Sequence, residues 1–264
     1  MVFHKRARLL SLLRQLVAQE VRGKYLGSVL GLFWLVLIPL FTLALYTVVF
    51  GTFMKARWGP QGDGGIYSFA LILFPGLLIF NFFSECVNRA PSLITTNPNY
   101  VKKVVFPLPL LALVPIATAL LQFSIGLLVW LFLNILSGQG ISWRIFFVPI
   151  IMLPFIFLIL GIVLLLSALG VYVRDLISMT PIVTQVLMFL SPVLYPIEHV
   201  PANLRWIFSA NPLTFVVEQT RAMLMTTTTF PWETWCIYSL MSFAIGLLGL
   251  KVFRTLRPGF ADII

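Results

Sequence analysis

The chain has 264 residues, 60% of them hydrophobic and only 10% charged, with a mean hydropathy of +1.02. Soluble domains carry about a quarter charged residues, so this composition excludes an ordinary soluble fold. The net charge of +10 reads as retention of Lys and Arg on the cytoplasmic side of a membrane protein, and no nucleic-acid partner is expected.

Residues 1–28 interleave His4, Lys5, Arg6, Arg8 and Arg14 with Leu9, Leu12, Leu13 and Leu16, which share one helix face. This pattern predicts a basic amphipathic helix on the inner membrane surface, with a solvated basic tail as the alternative. No cleavable leader is apparent, so the first apolar run is expected to stay as an anchor. Gly23, Gly27 and Gly31 are spaced four apart, a pattern that permits close approach of another helix.

Six apolar stretches follow, at 29–53, 67–86, 108–136, 146–173, 179–195 and 235–253. Each is read as crossing a hydrocarbon core of roughly 30 Å, which takes about 20 residues. Between the second and third lies a polar stretch, 88–103, holding Arg89, Asn97, Asn99, Lys102 and Lys103. After the fourth comes the pair Arg174-Asp175.

The connection 196–234 is too long for a simple loop and too apolar for a solvated one. Two short helices, 204–209 and 213–225, are predicted there as re-entrant elements of the outer leaflet, with surface helices as the alternative. Glu218 and Arg221 lie one turn apart and are expected to pair.

Orientation follows from charge. The inner segments hold Lys5, Arg6, Arg8, Arg14, Arg22, Lys24, Arg89, Lys102, Lys103, Arg174, Lys251, Arg254 and Arg257. The outer segments hold only Lys55, Arg57, Arg144, Arg205 and Arg221, so both termini are placed in the cytoplasm. Cys86 and Cys236 then fall near opposite faces and are not expected to bridge.

Chemistry is sparse. His4 and His199 are the only histidines and no zinc-ligand spacing or nucleophile elbow occurs, so no catalytic or metal site is expected. Gly23-Lys24 is followed by Tyr25 and lacks the rest of a phosphate-binding loop. Glu85 is the only carboxylate near a span, which argues against ion-driven transport. Any ATP hydrolysis must come from another chain, docking on 88–103 unless that stretch is a simple solvated loop.

The order of motifs resembles the permease subunit of ABC-2-type polysaccharide exporters, the group that moves O-antigen, capsule or teichoic-acid polymers. The run Tyr25-Leu-Gly-Ser-Val-Leu-Gly-Leu-Phe-Trp34 with Pro39 is similar to that family's first span. Asn97, Lys102, Lys103, Phe106 and Pro107 resemble its inner loop, and Arg174-Asp175 its basic–acidic pair. Ser191-Pro192, Tyr195, Pro201, Asn211-Pro212 and Arg221 resemble its outer region, and Phe260-Ala261-Asp262 its C-terminal signature.

The resemblance implies an all-α membrane protein forming a single transmembrane domain, 1–264. Its parts are an amphipathic N-terminal helix (1–28), spans one to five (29–195), an outer re-entrant region (196–234), and span six with a cytoplasmic tail (235–264). It implies a homodimer in the bacterial inner membrane, with two ATPase subunits that carry the ATP and Mg, and a lipid-linked polysaccharide as cargo. No cofactor is expected on this chain. ATPase coupling would fall to Asn97, Tyr100, Lys102, Lys103, Arg174 and Asp175. Arg8, Arg14, Arg22 and Lys24 would meet a diphosphate head group. Tyr195, Asn211, Pro212, Glu218 and Arg221 would form an outer gate. An exporter of drugs or lipids is the alternative with the same architecture, and a membrane-embedded acyl- or glycosyltransferase relying on Glu198, His199 and Glu218 is a more distant one.

Overall fold

The computed structural model describes residues 2–25, 29–53, 66–101, 106–138, 140, 142–225 and 228–263, and all regular structure among them is helical. The N-terminal helix α1 (Val2–Tyr25) is followed, past a short break, by a turn at Gly31, whose φ of +51° is open to glycine at little cost. That turn delays the first crossing. Helix α2 (Trp34–Tyr46) begins later than hydropathy alone predicts and continues as a π-helical stretch, Thr47–Phe53. Helix α3 (Ile66–Arg89) leads through a tight turn to the one-turn α4 (Pro98–Val101), then α5 (Pro109–Leu136).

Helix α6 (Phe147–Tyr172) is followed by α7 (Leu176–Phe189). The connection predicted to hold two short helices does so, as α8 (Arg205–Ala210) and α9 (Pro212–Met225). The long α10 (Trp232–Leu256) and the one-turn α11 (Phe260–Ile263) complete the chain.

Five segments are long and apolar enough to cross a membrane: Trp34–Thr52, Phe69–Arg89, Pro109–Leu136, Trp143–Tyr172 and Trp232–Gly259. The fifth predicted stretch behaves differently. Its helix α7 has 14 residues, about 21 Å at 1.5 Å per residue, which falls short of the hydrocarbon thickness. The apolar run continues through 190–195, but Pro192 lacks the N–H a longer helix needs and the backbone turns instead.

Helix α3 is the most buried crossing and packs against α2, α5, α6, α7 and α9. The most extensive helix pair is α6 with α10. A Cβ built on Gly161 would sit 2.5 Å from the Ile245 carbonyl oxygen and 2.8 Å from the Gly246 Cα, and one built on Gly249 would strike the Gly161 backbone. Small residues therefore do set a close helix crossing, as they do where lipid tails supply no hydrophobic contrast. They are not the ones whose spacing drew attention: nothing approaches within 4 Å of where a Cβ would stand on Gly23 or Gly31, and Gly27 lies outside the described residues.

Prolines inside two crossings are compensated in the same way. A helical proline cannot donate to the carbonyl four residues earlier, and in lipid that carbonyl needs another partner. Pro75 in α3 frees the Leu71 carbonyl, which accepts the Trp130 indole N–H of α5 at 2.9 Å. Pro154 in α6 frees the Ile150 carbonyl, which accepts the Trp235 indole N–H of α10 at 3.0 Å. Trp235→Phe is expected to keep the ring packing and lower stability by about 1 kcal/mol, the scale of an interhelical hydrogen bond in a membrane. Thermal unfolding in detergent checks this, and a midpoint equal to wild type would mean that the indole contributes only bulk.

Candidate functional site

The structure gathers polar side chains in two places, one at each end of α3. The first lies where the end of α1 meets α3 and α5. Glu20 of α1 accepts hydrogen bonds from Arg89 of α3 and, at 2.8 Å, from the Thr118 hydroxyl of α5. Lys24 donates to Glu85 at 2.8 Å, and Arg89 also reaches Glu85 at 3.5 Å along its own helix. Gln122 donates to the buried Tyr25 hydroxyl at 2.6 Å. Two cations and two carboxylates thus tie α1 to α3.

A cavity of about 530 Å³ opens beside this cluster, lined among others by Lys24, Asn81, Ser84, Glu85, Asn88 and Gln122. A second, of about 910 Å³, lies between α1 and the stretch that follows α3 and shares Lys24, Glu85 and Arg89 with it. Asn81, Ser84, Glu85, Asn88 and Arg89 recur on one face of α3. Asn88 is further held by the Thr184 hydroxyl of α7 at 3.0 Å.

Of the residues assigned to a head group, Lys24 lines both cavities but is shared with Glu85. Arg14 and Arg22 are exposed on α1. Arg8 lies on α1, with its side chain outside the described residues. Sequence reasoning passed over Glu20 and its partner Thr118, because nothing local links positions 98 residues apart. The i,i+4 spacing of Glu85 and Arg89 was the one available signal.

The polar stretch after α3 is not simply solvated. Ala90, Leu93 and Ile94 are buried, and a Cβ on Gly170 of α6 would collide with the Pro91 backbone. Asn97 turns the chain into α4. Its side-chain amide donates to the Leu93 carbonyl at 2.9 Å, and its own carbonyl accepts the Tyr100 N–H at 3.1 Å. The Tyr100 ring stands 4.6 Å from that of Phe106. Lys102 and Lys103 lie outside the described residues. Arg174 and Asp175 are exposed in the turn between α6 and α7, at the same end of the bundle as the seated loop.

The second polar site closes the other end. Backbone that leaves a helix exposes carbonyls needing donors, and three predicted residues supply them where α7 ends. Tyr195 donates its hydroxyl to the Phe189 carbonyl, and Asn211 donates to the Leu190 carbonyl at 3.0 Å. Arg221 donates to the Pro192 and Val193 carbonyls, and to the Ile72 carbonyl of α3 at 2.9 Å. Asn211 also accepts the Leu213 N–H at 3.0 Å, capping α9 with Pro212 at its first position.

The expected Glu218–Arg221 ion pair does not form as a contact. Arg221 is only 8% exposed and its donors go to carbonyls, while the half-buried Glu218 acts on it electrostatically from one turn away. Gly76 leaves the room, since a Cβ there would collide with the guanidinium.

Disrupting the cluster of Glu20, Lys24, Glu85 and Arg89 has a measurable signature. A double-mutant cycle of Glu20→Gln and Arg89→Gln is expected to give a coupling energy of about 1–2 kcal/mol in thermal unfolding. Additive effects would mean that the Glu20–Arg89 pair does not help to hold α1.

A profile of the family described as ABC-2 type transporter matches residues 11–225. The chain belongs to this family. The match runs from within α1 to the end of α9 and so includes both polar sites. The chain is also similar to the O-antigen export system permease protein RfbA of Klebsiella pneumoniae, 24% identical over 258 residues, covering 97% of this chain and 96% of that one. RfbA of Myxococcus xanthus is 30% identical over 187 residues, 71% of this chain and 69% of that one. The polysialic acid transport protein KpsM of Escherichia coli is 29% identical over 217 residues, 80% of each chain. The ABC-2 fold here is thus a multi-pass helical membrane protein whose connections at each end are fastened by side chains.

Proposed function

We propose that this ABC-2 chain is the channel-forming permease of an ATP-driven exporter that carries a lipid-linked polysaccharide, most specifically an O-antigen, out across the bacterial inner membrane. What carries the reading is end-to-end similarity to a protein named for O-antigen export, with 97% of this chain aligned. In this reading α7 and residues 190–195 together complete a sixth crossing, α8 and α9 dip into the outer leaflet, and α1 lies amphipathic at the inner surface. Both termini are cytoplasmic.

Two copies enclose the passage. The sparsely buried α2 and the largely exposed α7, with Asn81 exposed on the otherwise buried α3, support this, because a single copy leaves that polar position uncovered. Two ATPase subunits dock on the inner loop around Asn97, Tyr100, Lys102 and Lys103 and on the Arg174-Asp175 turn, and supply ATP-driven closure. The loop seated against α6 would pass that movement into the bundle. Arg14, Arg22 and Lys24, with Arg8, attract the diphosphate of the lipid carrier to the cavities beside α1. Tyr195, Asn211, Pro212, Glu218 and Arg221 form the outer gate.

The direct test is mass spectrometry of lipid extracts from cells depleted of this protein. Accumulation of a lipid-linked glycan is expected, and an unchanged pool would contradict polysaccharide export. Topology is tested separately by cysteine labelling in a Cys236→Ser background. Asn203→Cys is expected to react with an impermeant maleimide in intact cells, and Asn99→Cys only after permeabilisation. The reverse pattern would invert the orientation.

A further inference from the structure

Beside α10, we propose a binding site for one anionic phospholipid, its acyl chain in a groove between α1, α5, α6 and α10 and its phosphate at Lys251 and Arg254. The groove encloses about 340 Å³ and is lined by apolar side chains, among them Leu9 of α1, Leu113 of α5, Phe157 of α6, and Phe243 and Leu250 of α10. A shallower concavity of about 350 Å³ continues from it along α10, sharing Leu247 and Leu250 and then meeting Lys251, Arg254 and Thr255. An apolar slot therefore runs into a cationic mouth.

Lys251 and Arg254 are three residues apart, so they present their charges on one face of the helix. Both are exposed, and among the described residues neither has a carboxylate within ion-pair distance. The Thr255 hydroxyl is turned back onto the Lys251 carbonyl at 3.0 Å, which leaves the two cations as the charged groups of the mouth.

These features select the occupant. A helix is about 10–12 Å across with its side chains and does not fit a slot of this volume, whereas a hydrocarbon chain does. Basic residues at the end of an intramembrane groove match a lipid phosphate. Because Leu9 belongs to α1 and most of the remaining lining to three crossings, a bound lipid would bridge the N-terminal helix to the bundle. Assigning the lipid to the inner leaflet rests on the topology proposed above, while the choice of an anionic lipid does not.

The test uses the full chain in neutral detergent, titrated with phosphatidylglycerol or phosphatidylcholine of matched chains and read by native mass spectrometry. One retained phosphatidylglycerol is expected, preferred over phosphatidylcholine by on the order of tenfold. The double variant Lys251→Gln/Arg254→Gln should lose the preference, and Leu247→Trp, which fills the slot from an exposed position, should weaken both lipids. Thermal midpoints near wild type for both variants would show that the lost binding is not lost folding. Equal retention of the two lipids by wild type, or a preference unchanged in the double variant, would overturn the proposal. So would disulfide cross-linking of Leu247→Cys between two copies, because the groove would then be covered by protein.

Discussion

Gly161→Leu is expected to prevent recovery of a folded, monodisperse protein, and Gly161→Ala to destabilise it by about 2–3 kcal/mol. The reason is the nature of the atoms in the way. At this crossing a new Cβ meets the Ile245 carbonyl and the Gly246 Cα, which are backbone and cannot rotate aside. The only relief is to separate α6 from α10, the most extensive helix pair of the fold. That separation would also pull the Trp235 indole from the Ile150 carbonyl. Gly140→Ala is the matched control, since nothing lies within 4 Å of its Cβ position, and its effect should stay within about 0.5 kcal/mol. Thermal unfolding and size-exclusion profiles in one detergent measure all three variants. A wild-type profile for Gly161→Leu would mean that the two helices are not in backbone contact.

Arg221→Leu should be comparably damaging for an electrostatic reason. The arginine satisfies three carbonyls, those of Ile72, Pro192 and Val193, in a place where water is scarce. Leaving a buried polar group unpaired costs roughly 1–3 kcal/mol each, and the groups share relaxation, so a total on the order of 3–5 kcal/mol is expected. For a chain of this length that corresponds to a fall in midpoint of roughly 10 °C. Arg221→Lys should recover only part of it, because an ammonium is a point charge and the three acceptors lie around a planar fork. Equal midpoints for Arg221→Leu and wild type would mean that the turn after α7 is held by other contacts. A loss of export without loss of stability would instead place Arg221 in the passage itself.

The crossings at 67–86, 108–136, 146–173 and 235–253 were legible because length and hydropathy alone decide a membrane span. The end of α7 was not. Residues 190–195 are as apolar as those before them, and only Ser191-Pro192 marks where the helix stops. The two short helices between α7 and α10 were readable from their proline punctuation, and Asn211-Pro212 carries a helix start in its residue types.

Partner choice was beyond local reasoning. Glu218 stands one turn from Arg221 in sequence, yet carbonyls from two other elements win the guanidinium, because the turn after α7 offers acceptors that nothing else satisfies. Glu20, Arg89 and Thr118 meet only after the chain has folded back on itself. Glycine spacing was similarly ambiguous: it marks where a close approach is possible, and the crossing that uses it involves Gly161 and Gly249, 88 positions apart.

Inside-out membrane vesicles test the central claim most directly. Lipid-linked O-antigen supplied at the exposed cytoplasmic face should become accessible to a glycan-cleaving enzyme sealed in the lumen, only when ATP, the ATPase partner and this chain are all present. Transfer that proceeds equally without this chain, or in its presence without ATP, would contradict ATP-driven polysaccharide export through it.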